Sequence, residues 1–213
     1  MTARIESRRP FLVAILAMAA IVLASNILVQ YPVEPFGLAD YLTWGAFTYP
    51  FAFLVTDLAN RRFGPALARR VVLVGFAVAV VLSIYFATPR IAIASGTAFL
   101  AAQLLDVQIF ERLRGAMWWV APLVSSVIAS ALDTALFFSI AFHCGPVIGD
   151  AGISDLLARV GIADVCEPLP WQTWAVVDYL VKLAIAALAL LPYGAILAMM
   201  PRGEDEGDAP AGA

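Results

Sequence analysis

Six apolar runs, each near the length a helix needs to cross a bilayer, constrain this chain more than any other feature. A helix crosses the hydrocarbon core in about 20 residues. The runs fall at about 11–29, 42–60, 71–88, 92–110, 117–142 and 172–199. In lipid a spanning segment must satisfy its own backbone N–H and C=O groups, so runs of this kind become helices. Composition agrees: 62% of the 213 residues are hydrophobic and 14% charged, where a soluble domain carries about 25% charged residues. The expected fold is an all-α integral membrane protein, a bundle of six transmembrane helices. The first run follows arginines, as a signal peptide does. At 19 residues it is longer than a usual signal core and more spans follow, so it reads as a retained helix. The fifth and sixth runs are long enough to tilt, and Pro192 is expected to kink the sixth.

Arginine placement predicts the orientation. Arg4, Arg8, Arg9, Arg61, Arg62, Arg69, Arg70, Arg112 and Arg114 fall on one side, against Arg90 and Arg159 on the other. Both termini are therefore expected to be cytoplasmic. Residues 1–200 are expected to form one transmembrane domain, and 201–213, with "GEDEGDA", a disordered acidic cytoplasmic tail. The tail accounts for most of the net charge of −3. No basic stripe suggests nucleic acid. Cys144 and Cys166 both fall in the outer loop 143–171. That side is oxidising if the membrane is a bacterial inner membrane. A disulfide closing the loop is one reading, and two unpaired thiols are the other. His143 is the only histidine, so it reads as an interfacial residue. No metal or cofactor is expected.

Ionisable residues inside a span are costly and by default mark a pathway or binding site. Asp57, Asp106, Asp133, Asp178 and Lys182 qualify. Asp57 lies near the cytoplasmic end of the second run, with Arg61 four residues on. It reads either as half of a helix ion pair or as an inner gate. Asp106 has the same place in the fourth run but Phe110 four residues on. It needs a partner from another helix, as gate, proton-coupling group, ligand or structural pair. Gln103 shares its face. Ser126, Ser130 and Asp133 form one polar stripe on the fifth run. Small residues pack helices closely, which accounts for the serines but not for Asp133. Asp178 and Lys182 stand four apart on the sixth run. Lys182 is about 15 Å in from Gln172 at roughly 1.5 Å per residue, too deep to reach headgroups. A same-helix pair is the plainer reading; a ligand site is the other.

The sequence has no GxGxxG, P-loop, HExxH or CxxC motif. Without a nucleotide site the chain is no primary pump by itself, and it lacks the nucleophile–base signature of an enzyme. Buried charges spread over several helices fit a transporter.

Five stretches carry a resemblance: "SNILVQYPV" (25–33), "TWGAFTYPFAFLVTDLANRRFGPALARR" (43–70), "RIAIASGTAFLAAQLLDVQIFERLR" (90–114), "WWVAPLVSSVIASALDTALFFSIAF" (118–142) and "VVDYLVKLAIAALALLPYGAIL" (176–197). In residues and order they resemble the queuosine precursor transporter family, also described as vitamin uptake transporters. The resemblance implies six helices in the bacterial inner membrane. It also implies import of 7-cyano-7-deazaguanine and 7-aminomethyl-7-deazaguanine for queuosine modification of transfer RNA. The acidic residues above fall within these stretches. The cysteine loop and the tail do not belong to the pattern.

A 7-deazaguanine presents N1–H and an exocyclic amine as adjacent donors beside the O6 acceptor. A carboxylate accepts two parallel bonds from those donors. Asp133 or Asp178 is expected to grip this edge. Lys182, helped by Gln103 or Asn26, would donate to O6 or hold the carboxylates. Ser126 and Ser130 complete the polar wall. The flat faces of the base suit aromatics, of which Phe47, Tyr49, Phe51, Phe53, Phe137, Phe138 and Tyr179 are near the right helices, Phe47 and Tyr49 being taken as site candidates; the other reading of such rings is lipid-facing or core. Asp106 or Asp133 could couple a proton, and facilitated diffusion with metabolic trapping is equally allowed. Two other classes stay open: a substrate-binding membrane subunit of an energised uptake complex, and a structural protein whose charges set helix register. A related purine or vitamin is the alternative cargo. Lipid surrounds the chain, and its oligomeric state, a homo-oligomer included, is open.

Overall fold

The computed structural model describes residues 8–142, 146–148, 151–152 and 170–199. Its helices are α1 (Arg8–Leu28), α2 (Gly45–Thr48), α3 (Phe51–Phe63), α4 (Pro65–Phe86), α5 (Pro89–Leu113), α6 (Val120–Phe142) and α7 (Trp171–Met199). Two short antiparallel strands, β1 (Pro146–Ile148) and β2 (Ala151–Gly152), follow α6. Among the described residues five helices are long and apolar enough to cross a membrane: α1, α4, α5, α6 and α7. The protein is an α-helical, multi-pass membrane protein. His143, Cys144, Cys166 and the acidic tail lie outside the described residues.

The second expected span, 42–60, differs from expectation. It is built in two pieces, α2 and α3, separated at Tyr49 and Pro50. Pro50 has no N–H to continue the ladder, and the backbone tightens there to i−3 bonds. Ala52 N donates to Tyr49 O at 3.0 Å, and Phe53 N to Pro50 O at 3.1 Å. At 13 residues, α3 alone is about 20 Å long, short of the roughly 30 Å hydrocarbon core. α7, by contrast, continues through Pro192 to Met199.

Two glycines fix how these pieces meet. Gly64 ends α3 at φ +80°, and Pro65 opens α4 immediately after. Glycine takes this left-handed backbone at little cost, and proline is suited to the first helical turn. At Gly45 a Cβ would lie 2.9 Å from the Val29 backbone, so the end of α1 can press on α2 only because no side chain intervenes.

α5 and α6 form the most extensive pairing; α1 packs on α4 and α3, and α7 on α6. α7 makes lighter contacts with α2 and α3. One apolar core holds Met18, Val22, Ala52, Val71, Val72, Phe99 and Val107. Burial runs opposite to a soluble protein. Leu12, Val13, Ile84, Leu188 and Leu191 are exposed on outer faces, while Thr56, Asp57, Asn60, Gln103, Asp106, Ser130, Asp133 and Lys182 are buried. Apolar residues outside and polar residues between the helices are the arrangement lipid demands.

Candidate functional site

Two helices and the break between α2 and α3 bring a charged cluster together. Lys182 on α7 donates to Asp133 Oδ2 on α6 at 2.7 Å, to Asp178 Oδ2 at 2.5 Å and to Thr134 Oγ1 at 3.0 Å. These are the three bonds an ammonium can donate. Thr134 donates to Asp178 Oδ2 at 2.8 Å. From the break between α2 and α3, Tyr49 Oη donates to Asp133 Oδ1 at 2.9 Å, and its ring centroid lies 5.6 Å from Lys182 Nζ. Asp133 therefore has both oxygens engaged. Asp178 does not: Oδ1 accepts no bond among the described residues, and its side chain is 14% exposed against 5% for Lys182. The cluster holds two carboxylates for one ammonium.

A second polar group lies between α3, α5 and α6. Asp57 accepts from Ser125 at 3.4 Å and from Ser126 at 3.5 Å. The carboxyl of Asp106 lies beside that of Asp57. Thr56 donates to Gln103 Oε1 at 2.5 Å and to Ala52 O at 3.0 Å. Both oxygens of Asp106 and Nε2 of Gln103 are buried without a partner. The helix ion pair considered for Asp57 does not form, because Arg61 is turned elsewhere.

A cleft between α3, α6 and α7 joins the two groups. Phe53, Asp57, Ser126, Ser130, Lys182 and Tyr193 are among its lining residues. Its volume is about 10 Å³, the room one water needs. A base-sized ligand enters only if α3 parts from α6 and α7, and α3 packs lightly on both. The polar stripe of α6 runs along this cleft: Ser126 reaches Asp57, Ser130 lines the wall and Asp133 meets Lys182. Asp133 and Asp178 sit behind Lys182 rather than in the lining.

The arginine-bearing end of the cleft is closed by residues that the apolar pattern did not single out. Arg61 Nε donates to Tyr193 Oη at 3.1 Å, linking α3 to α7. Arg61 Nη1 donates to Arg114 O at 3.1 Å, and Arg114 Nη1 to Arg61 O at 3.2 Å. Arg114 Nη2 also donates to Asn60 O and Asn60 Oδ1, at 2.7 and 3.0 Å, and pairs with Glu111 at 2.6 Å. Both guanidinium groups lie over the Phe110 ring, and Trp118 stacks on Tyr193 at 6.5 Å. The signal available in sequence was the matching Asp-before-Arg order in the second and fourth runs, which here brings Arg61 and Arg114 together.

The remaining candidates lie apart from the cluster. Asn26 donates to Val22 O of its own helix at 2.8 Å. Phe47 packs against Trp44 at 5.8 Å. Gln103 belongs with Thr56 and Asp106. Among the described residues no group of His, Cys, Asp and Glu could hold a metal ion.

A family described as "Putative vitamin uptake transporter" matches residues 43–88 and 83–196. The chain belongs to this family. It is a transporter rather than an enzyme, and every charged residue of the cleft lies within the matched region. The resemblance that the quoted stretches carry is borne out. A "Queuosine precursor transporter" of Escherichia coli (strain K12) is 35% identical over 202 residues, covering 84% of this chain and 83% of that protein. A "Probable queuosine precursor transporter" of Haemophilus influenzae is 36% identical over 214 residues, covering 85% and 84%. One of the same name from Bacillus subtilis (strain 168) is 28% identical over 84% and 81%. No solved structure matches the chain.

Proposed function

We propose that this chain is a secondary transporter that imports queuosine precursors across the bacterial inner membrane. Its cargo is a 7-deazaguanine base, 7-cyano-7-deazaguanine or 7-aminomethyl-7-deazaguanine, destined for queuosine in transfer RNA. Residues 1–200 act as one domain of six spans, with α2 and α3 together as the second, both termini cytoplasmic and 201–213 as an acidic tail. The observation that carries the reading is the buried Lys182–Asp133–Asp178 cluster beside the cleft, in a chain whose relatives are named for this cargo.

The chemistry fits. Asp178 keeps one oxygen free, and the cluster has one carboxylate more than it has cations. A base offering N1–H and an exocyclic amine supplies the missing donors. When α3 parts from α6 and α7, Asp178 accepts those donors and Lys182 turns one N–H toward O6. Ser126 and Ser130 line the path, and Phe53 and Tyr49 flank it with flat faces. Asp133, held by Tyr49, keeps Lys182 in place. Asp57 and Asp106 stand at the inner end as gating or proton-coupling groups.

The test is uptake of both labelled deazaguanines into proteoliposomes of the purified chain alone, with guanine as competitor. Saturable uptake of either base supports the reading. Uptake that appears only when ATPase subunits are added assigns the chain to an energised complex instead. Failure of both bases to enter or bind rejects the cargo.

A further inference from the structure

We propose that Asp57 and Asp106 act as one unit, a carboxyl pair that holds a single proton and couples its passage to the movement of substrate through the cleft. The coupling half rests on the transport reading above; the proton half rests on the burial of the two carboxyls and the donors they lack.

Asp57 is 2% exposed and Asp106 fully buried. Their carboxyl groups lie beside each other, and both Asp106 oxygens are buried without a donor. Two acceptors in contact need a hydrogen between them. Leaving a buried acceptor unmet is costly, and two ionised carboxylates cannot sit this close in a low-dielectric interior. A proton shared by the pair meets both requirements. A second unpartnered group points the same way: Gln103 Nε2, one turn before Asp106 on the same face of α5, is buried without an acceptor. It stands ready to donate when the pair loses its proton, as Ser125 and Ser126 do for Asp57.

No cation among the described residues neutralises the pair in the proton's stead. On α3, Arg61 is held by Tyr193 and Arg114 O. On α5, Arg114 follows the helix and pairs with Glu111. α6 presents the two serines and Asp133, which is tied to Lys182 of α7. Arg9 of α1 and Arg69 and Arg70 of α4 are exposed. α2 carries no charge.

Asp57 lines the cleft, whereas Asp106 is shut behind it, so Asp57 is the entry and exit of the proton. When the inner end opens, water reaches the pair and raises the local dielectric; the Asp57 O–H bond then breaks, the proton passes to water, and the two carboxylates left are solvated, Asp57 keeping its two serine donors. Reloading from water on the opposite side reverses the step. The charge so created sits on the wall that Lys182 also lines, which ties proton occupancy to the state of the cluster.

The experiment uses the full chain and the variants Asp57→Asn and Asp106→Asn, with two readouts. The first is infrared difference spectroscopy at neutral pH, wild type minus each variant, in H2O and D2O. A carboxylic-acid C=O band that shifts in D2O and is displaced by each single variant supports the shared proton. No such band in the wild type, or a band that either variant leaves unmoved, overturns it. This readout needs no substrate. The second uses proteoliposomes and labelled 7-cyano-7-deazaguanine. One proton per substrate sustains about tenfold accumulation per unit of pH gradient. The wild type should reach this, and Asp106→Asn should lose it while keeping substrate counterflow. Accumulation that persists in Asp106→Asn, or that a sodium gradient drives instead, overturns the coupling. Wild-type protein without counterflow rejects the cargo reading, and the infrared result still decides the proton.

Discussion

Lys182 of α7 and Asp133 of α6 meet at 2.7 Å, each with a side chain only 5% exposed. This contact makes the packing of α7 on α6 an electrostatic matter as well as an apolar one. A buried pair is costly to form but more costly to break from one side, because the abandoned charge stays in place.

Lys182→Met should therefore lower stability by about 3–5 kcal/mol, read as an earlier unfolding transition in detergent. The double variant Lys182→Met with Asp133→Asn removes the more buried of the two carboxylates left without a cation and should recover part of that loss. Uptake should stay absent in both. Recovered uptake in the double variant would reduce the cluster to a packing device.

Asp178→Asn tests the ligand role most cleanly, since Asp178 keeps a free oxygen and is the least buried member. An amide presents a donor where the base needs an acceptor. Affinity should fall about ten- to hundredfold, the loss of one charge-assisted bond of about 1.5–3 kcal/mol, with expression unchanged. Competition by a deazapurine lacking the exocyclic amine should weaken by a similar factor in the wild type. Equal competition by the two would show that Asp178 does not read this edge.

The charged cluster was legible in sequence because Lys182 and Asp178 interrupt an apolar run, and Asp133 interrupts another. Helical spacing placed Ser126, Ser130 and Asp133 on one face, and they do share one. Spacing could not say that Asp57 would turn from Arg61, its neighbour on the same helix, to serines on α6. That choice depends on which helix packs alongside, and Asp106 on α5 arrives there too. Nor did hydropathy separate α2 from α3, because Pro50 is apolar in composition and disruptive only through its missing N–H. Tyr193 stayed hidden for a related reason: an aromatic in an apolar helix gives no sign of which side of the bundle its hydroxyl faces.

Gly45→Ala should destabilise the junction of α1 and α2. The added methyl meets Val29 backbone at 2.9 Å, which a side-chain rotation cannot relieve. Overpacking of this kind costs about 1–3 kcal/mol. Because Tyr49 is in the last turn of the same segment, its bond to Asp133 should loosen with it. Thermal unfolding gives the first quantity and uptake the second; Gly115→Ala, at a glycine with open space around it and no left-handed backbone, controls for general effects of adding a methyl.

Tyr193→Phe removes the acceptor that joins Arg61 of α3 to α7 while keeping the ring stacked on Trp118. If this bond holds the arginine-bearing end of the cleft shut, the wall behind it should open more often. Ser130 is 1% exposed, so a cysteine placed there in a background with Cys144 and Cys166 replaced reports opening directly. Loss of a bond from a charged donor, about 1.5–3 kcal/mol, should speed maleimide labelling of Ser130→Cys roughly tenfold or more. Labelling from the arginine-rich side should gain most, since that is the end released. Saturating deazaguanine should slow it again if substrate closes the helices around itself. An unchanged labelling rate in Tyr193→Phe would leave Arg114, through its bonds to Asn60 and Arg61, as the element that holds this end closed.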